Sequence, residues 1–112
     1  MRADRHPWAA LLVAVSGWLL SSAAFVALYG THAVACAVLA DPAHARLAVL
    51  SVWAAFLLGH AGHLLWVRRL IAASVSEQRP VPLVQVTIIL TVTATVATGW
   101  CGTPVLLGAA CH

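Results

Sequence analysis

Two histidines, His60 and His63, carry the widest chemical repertoire in this chain, within the run Leu57-Leu58-Gly59-His60-Ala61-Gly62-His63-Leu64-Leu65-Trp66. A spacing of three sets the imidazoles about 60° apart on one helical face, and Gly59 and Gly62 leave room beside them for a bulky group or another backbone. Neutral imidazoles in apolar surroundings have four uses. They ligate a haem iron axially, hydrogen-bond a quinone carbonyl, hold a metal as a pair, or hydrogen-bond between helices. Ser16, Thr87 and Thr91 are the hydroxyls whose positions in their own apolar segments match the histidines in depth. Together the five residues would make an apolar pocket with a few convergent polar groups, the usual form of a ligand site. Ser21, Thr95 and Thr98 read as packing residues, because Ser and Thr bond back to their own helix and small side chains let helices approach closely.

The elements that must position these groups follow from composition. The chain has 112 residues, 62% of them hydrophobic and 8% charged, with a mean hydropathy of +0.96. Soluble domains are roughly 45–50% apolar and about 25% charged, so this is read as a membrane protein. At roughly 20 residues per crossing the length suffices for about three helices and leaves no room for a soluble catalytic domain. The predicted fold is all-α, with transmembrane helices over 8–29, 47–67 and 83–103 and a cysteine-containing segment over 101–112. β-Branched residues in the third segment do not argue for strands, since an open sheet in lipid leaves backbone groups unpaired. The basic start and first apolar run have the form of a signal peptide, but the run continues to Tyr29 and is read as a retained helix. Residues 32–39 are apolar but too short to span; they either extend the first helix or form a re-entrant piece.

Arginine sets the expected orientation. Arg2, Arg5, Arg68, Arg69 and Arg79 fall on one side of a three-helix arrangement and Arg46 on the other, so the N-terminus and the second loop are expected to be cytoplasmic and the C-terminus exterior. The chain is therefore expected as a multi-pass protein of the inner or plasma membrane, with His60, His63, Ser16, Thr87 and Thr91 in the cytoplasmic half. The net charge of +3 comes from segment ends and not from a basic face, which argues against nucleic-acid binding. No Asp, Glu or Lys lies within a predicted helix, which argues against an ion-coupled transporter. Cys36, Cys101 and Cys111 fall at or beyond the exterior face, where disulfides persist. Cys101 with Cys111 is the expected pair, because Gly102, Pro104 and Gly108 between them are turn formers. The three cysteines lack the spacing of a structural zinc site. Trp8, Trp66 and Trp100 sit near predicted membrane boundaries as anchors, while Trp18 lies mid-helix.

Small residues recur at helical spacing in three seams: Ala14, Gly17, Ser21 and Ala24; Ala55, Gly59 and Gly62; and Thr87, Thr91, Thr95, Thr98 and Gly102. Each seam lets a helix pack against a partner, in the lipid bilayer or in other integral membrane subunits.

The stretch Gly59-His60-Ala61-Gly62-His63-Leu64-Leu65-Trp66 resembles the second-helix signature of the membrane-anchor subunits of succinate dehydrogenase and fumarate reductase. The length, three helices and orientation are also similar to those anchors, and Ser16-Gly17 is similar to the family's hydroxyl-Gly pair. The resemblance implies that His63 is an axial ligand of haem b, that His60 neighbours the haem or quinone, and that Ser16 contacts the quinone. Gly62 and Val15 stand where the family carries arginines. On this reading the chain is a small integral subunit of a respiratory or redox complex that anchors partners and contributes a haem b or quinone site. Two other classes fit the sequence: a structural accessory or assembly subunit without cofactor, and a homo-oligomeric channel or holin-like protein. Catalysis by the chain alone is not expected, because no nucleophile, base and orienting group occur together at plausible spacing.

Overall fold

In the computed structural model the described residues are 7–75, 81–107 and Cys111. Arg2, Arg5, Arg79 and Gly108, which entered the orientation and disulfide expectations, lie outside them. The order is α1 (Pro7–Val38), α2 (Pro42–Val75), α3 (Val81–Cys101) and a single turn, α4 (Thr103–Leu106). Three of these helices are long and apolar enough to cross a membrane. Polar backbone in such sequences has no partner but its own chain, and a helix satisfies every group internally.

α1 lies between the other two and packs along both, whereas α2 and α3 meet less extensively. Residues 16–21 of α1 run alongside 91–98 of α3 in the same direction and alongside 63–60 of α2 in the opposite one. The bundle measures 56 × 22 × 17 Å. α1 has 32 residues and α2 has 34, or about 48 and 51 Å at 1.5 Å per residue. Both exceed a hydrocarbon core of about 30 Å. α1 continues as unbroken helix through His32 to Val38, so the segment after Tyr29 is an extension and not a re-entrant piece. α2 outruns the expected 47–67 at both ends because the flanking Ala43-His44-Ala45-Arg46 and Arg68-Arg69-Leu70-Ile71-Ala72-Ala73 continue the helix beyond the apolar stretch. Its start is fixed by Pro42, whose ring presets the first helical φ, and by Asp41, whose Oδ1 accepts the Ala43 amide at 2.9 Å.

The interior is made of small side chains. Ala14, Gly17, Ser21 and Ala24 of α1 are buried against Thr87, Thr91, Ala94 and Thr98 of α3, so two of the three expected seams face inward. The third does not: Ala55, Gly59 and Gly62 lie on the outer face of α2. Leu11, Leu19, Val26, Leu58, Ile89 and Val96 point outward too, which gives the bundle the hydrocarbon exterior that lipid solvates. Trp8, Trp66 and Trp100 are exposed, and Trp18 faces outward without a partner helix from this chain.

The disulfide joins Cys36 to Cys111, with Cα atoms 5.7 Å apart, and Cys101 keeps a free thiol. The expected Cys101–Cys111 pair is therefore corrected. Two features decide it. The extension of α1 carries Cys36 to the end of the bundle where the chain finishes, and α3 stops at Cys101, where Gly102 and Pro104 start a new turn that takes the chain away from α3.

Candidate functional site

His60 and His63 sit on the inward side of α2 and engage different partners one turn apart. His60 is fully buried. Its Nε2 lies 2.7 Å from Thr98 Oγ1 on α3, and Thr98 Oγ1 donates to Ser21 Oγ on α1 at 3.0 Å. A hydroxyl carries one hydrogen, so with that hydrogen given to Ser21 the contact with His60 runs from the imidazole N–H to the Thr98 oxygen. One short chain of hydrogen bonds thus ties all three long helices together.

His63 repeats the logic on α1 alone. Its Nε2 lies 2.7 Å from Ser16 Oγ, and Ser16 donates its hydrogen to the Val13 carbonyl at 2.7 Å. His63 Nε2–H is therefore the donor here as well. Gly17 is what lets the ring come so close: a Cβ at that position would stand 3.4 Å from His63 Cε1, from Ala94 Cβ and from the Thr91 Cα. Both imidazoles are neutral Nε2–H tautomers in this network, and both Nδ1 atoms are sealed from solvent without a hydrogen-bond partner.

Of the five expected site residues, the structure brings Ser16 and His63 together and sends His60 elsewhere. Thr87 and Thr91 are buried on the inner face of α3, but their hydroxyls donate to the carbonyls of Leu83 at 2.9 Å and Thr87 at 2.7 Å, within their own helix. Thr95 does the same to Thr91 at 2.9 Å. Thr98 and Ser21, read from sequence as packing residues, are the partners of His60. Residues three apart on a helix differ in height by about 4.5 Å, so two histidines at that spacing meet different turns of a neighbour. That step, applied to Ser16 and Ser21 on the antiparallel α1, pairs His63 with the first and His60 with the second.

Thr98 is also the junction with the bundle end. The Gly102 amide reaches only to Gly99 O at 3.4 Å, and Trp53 Nε1 donates to the Thr98 carbonyl at 3.0 Å, supplying a partner to a carbonyl of the last helical turn. Beyond it, Arg46 Nη2 donates to the Leu106 carbonyl at 3.1 Å. A cavity of about 260 Å³ opens at this end among Leu28, Tyr29 and His32 of α1, Val49 of α2, Cys101, and Pro104 and Val105 of α4. At the opposite end an apolar cleft of about 200 Å³ lies between α2 and α3, lined by Leu64, Val67, Ile88 and Thr91 among others, with Arg68 beside it. Neither space is lined by His60 or His63.

No family model, curated protein or solved structure matches the chain. Its function is argued from geometry alone. Among the described residues, no group of three or more His, Cys, Asp or Glu is placed to hold a metal ion. The arrangement does not fit haem ligation as it stands: Nε2 of each histidine is engaged by a hydroxyl, and Nδ1 of each is enclosed. A quinone carbonyl would need one of the same N–H donors. What the network can do chemically is hold helices in register, with the imidazoles as interhelical donors in a medium where no water competes.

Proposed function

We propose that the chain is a small integral membrane subunit of a larger complex, not catalytic by itself, that presents the outer face of α2 to a helix of a neighbouring subunit. One observation carries this reading. Ala55, Gly59 and Gly62 form a ridge of small residues on the exposed side of α2, and at both glycines the space a side chain would occupy is open. Small residues at such spacing favour close helix approach, and no helix of this chain approaches there. α2 also buries the least of itself within the bundle. The interior polar groups, by contrast, find partners inside the chain through Nε2 and the hydroxyls, which supports an accessory role without a cofactor on the histidine pair. The resemblance in 59–66 to the succinate dehydrogenase and fumarate reductase anchors makes a respiratory complex the class of assembly we favour. For orientation, the disulfide supports the Cys36 end as exterior, and Arg68-Arg69 supports the opposite end as cytoplasmic.

The test is co-purification from native membranes in mild detergent, wild type beside Gly62→Leu. Discrete membrane partners that accompany the wild type and are lost from the variant are the expected result; a wild type that runs alone would sink the proposal. A reduced-minus-oxidised visible spectrum of the same wild-type sample addresses the cofactor. A b-type band that His63→Leu abolishes would replace the accessory reading with that of a haem-bearing anchor.

A further inference from the structure

Three cysteines and a histidine gather at the α4 end of the bundle, apart from the buried network. Cys36 and Cys111 form the disulfide. His32, one turn before Cys36 on α1, places Nε2 4.0 Å from Cys36 Sγ. Cys101, the last residue of α3, has a free, half-buried thiol. His32 and Cys101 border the same cavity of about 260 Å³, so thiol and imidazole share one open volume with the disulfide next to the imidazole. A thiol, a base and a disulfide are the components of thiol–disulfide exchange.

We propose that Cys101 is the attacking thiol of an internal exchange that transfers Cys36 from Cys111 to Cys101. His32 takes the Cys101 proton, and the thiolate attacks Cys36 Sγ. The Cys36–Cys101 bond forms as the Cys36–Cys111 bond breaks. The electron pair of the broken bond leaves on Cys111 Sγ, which receives the proton held by His32. One disulfide and one thiol are present before and after, so no oxidant or reductant enters. Attack falls on Cys36 because it and Cys101 both belong to helices that flank the cavity, whereas Cys111 belongs to the segment that follows α4. The covalent tie then runs between the ends of α1 and α3. The segment from Thr103 onward keeps the Arg46 bond to the Leu106 carbonyl but loses its covalent anchor. The disulfide is in this sense a releasable strap.

The experiment uses the full chain in detergent micelles without added redox reagents. Free thiols are blocked with N-ethylmaleimide at successive times, and the chain is cut with chymotrypsin after Trp100 and after Leu106 or Leu107, which separates Cys101 from Cys111 for mass spectrometry. The expected result is a growing share of chains with Cys36 joined to Cys101 and Cys111 alkylated, approached several-fold more slowly in His32→Ala. Alkylation confined to Cys101 at every time would overturn the proposal. A second measurement uses Cys111→Ser exposed to oxidised glutathione. An internal Cys36–Cys101 bond is expected, and glutathione adducts on both cysteines in its place would show that the two sulfurs do not meet, which also overturns it.

Discussion

Trp53 and Gly102 compete for one volume: the indole of the first fills the space that a side chain on the second would need. The backbone at Gly102 is ordinary right-handed helix, φ −84° and ψ −12°, so the requirement for glycine is steric. With the ring seated there, Trp53 Nε1 reaches the Thr98 carbonyl, and α3 ends in a fixed relation to α2.

Gly102→Ala is expected to displace the indole and break that hydrogen bond. Overpacking of this kind costs about 1–3 kcal/mol, more than alanine returns in helix propensity. Reversible unfolding by SDS titration in mixed micelles measures it, and a variant as stable as wild type would mean the ring has room to move.

His60 and Thr98 are expected to be energetically coupled. A double-mutant cycle with His60→Ala and Thr98→Val should give an interaction energy of about 0.6–1.7 kcal/mol, the range for hydrogen bonds between membrane helices. Additive single effects would show that the 2.7 Å contact contributes nothing net.

Hydroxyls that cross between helices should matter more than those that bond back. Ser16→Ala removes the acceptor of the His63 N–H and is expected to cost about 1–2 kcal/mol. Thr91→Val deletes a hydroxyl whose partner, the Thr87 carbonyl, is already within the helix, and should stay within about 0.5 kcal/mol of wild type. The same unfolding titration ranks the two, and the reverse order would refute the network described here.

Cys36→Ser is expected to loosen the bundle end more than its centre. A loop of 75 residues corresponds to about 4 kcal/mol in the chain-entropy model for water, an upper bound here because helices that unfold within a bilayer remain confined. Amide hydrogen exchange should rise over α4 while the turns around His60 and His63 keep their protection. Equal loss at both places would make the disulfide a global constraint and not a strap.

Much of the fold was legible from the sequence because lipid removes alternatives. A run such as 8–29 without an ionisable group has one way to satisfy its backbone, and the seams of α1 and α3 follow from the helical period. Helix ends were less legible. Apolarity ends with the membrane, whereas helix propensity does not, so Arg68-Arg69 marked a boundary that α2 passes and Tyr29 a boundary that α1 passes. The disulfide expectation failed for the same reason: with α1 stopped early, Cys36 lay far from the C-terminal segment and Cys101 took its place. At the histidines, type and face could be read, but not register. His60 finds Thr98 and Ser21 through a vertical offset between helices that no single segment encodes.

The Cys36–Cys111 bond also bears on how such a chain is made. Between its two sulfurs lie α2 and α3, one outward and one return passage through the bilayer. During synthesis Cys36 emerges early and must wait, because Cys111 arrives on the same side only once the third helix has been inserted. A chain whose second or third helix enters the membrane the wrong way cannot close the bond. The oxidised state is therefore a covalent record that biogenesis was completed with the correct topology, and chains carrying all three thiols free are those that insertion left unfinished.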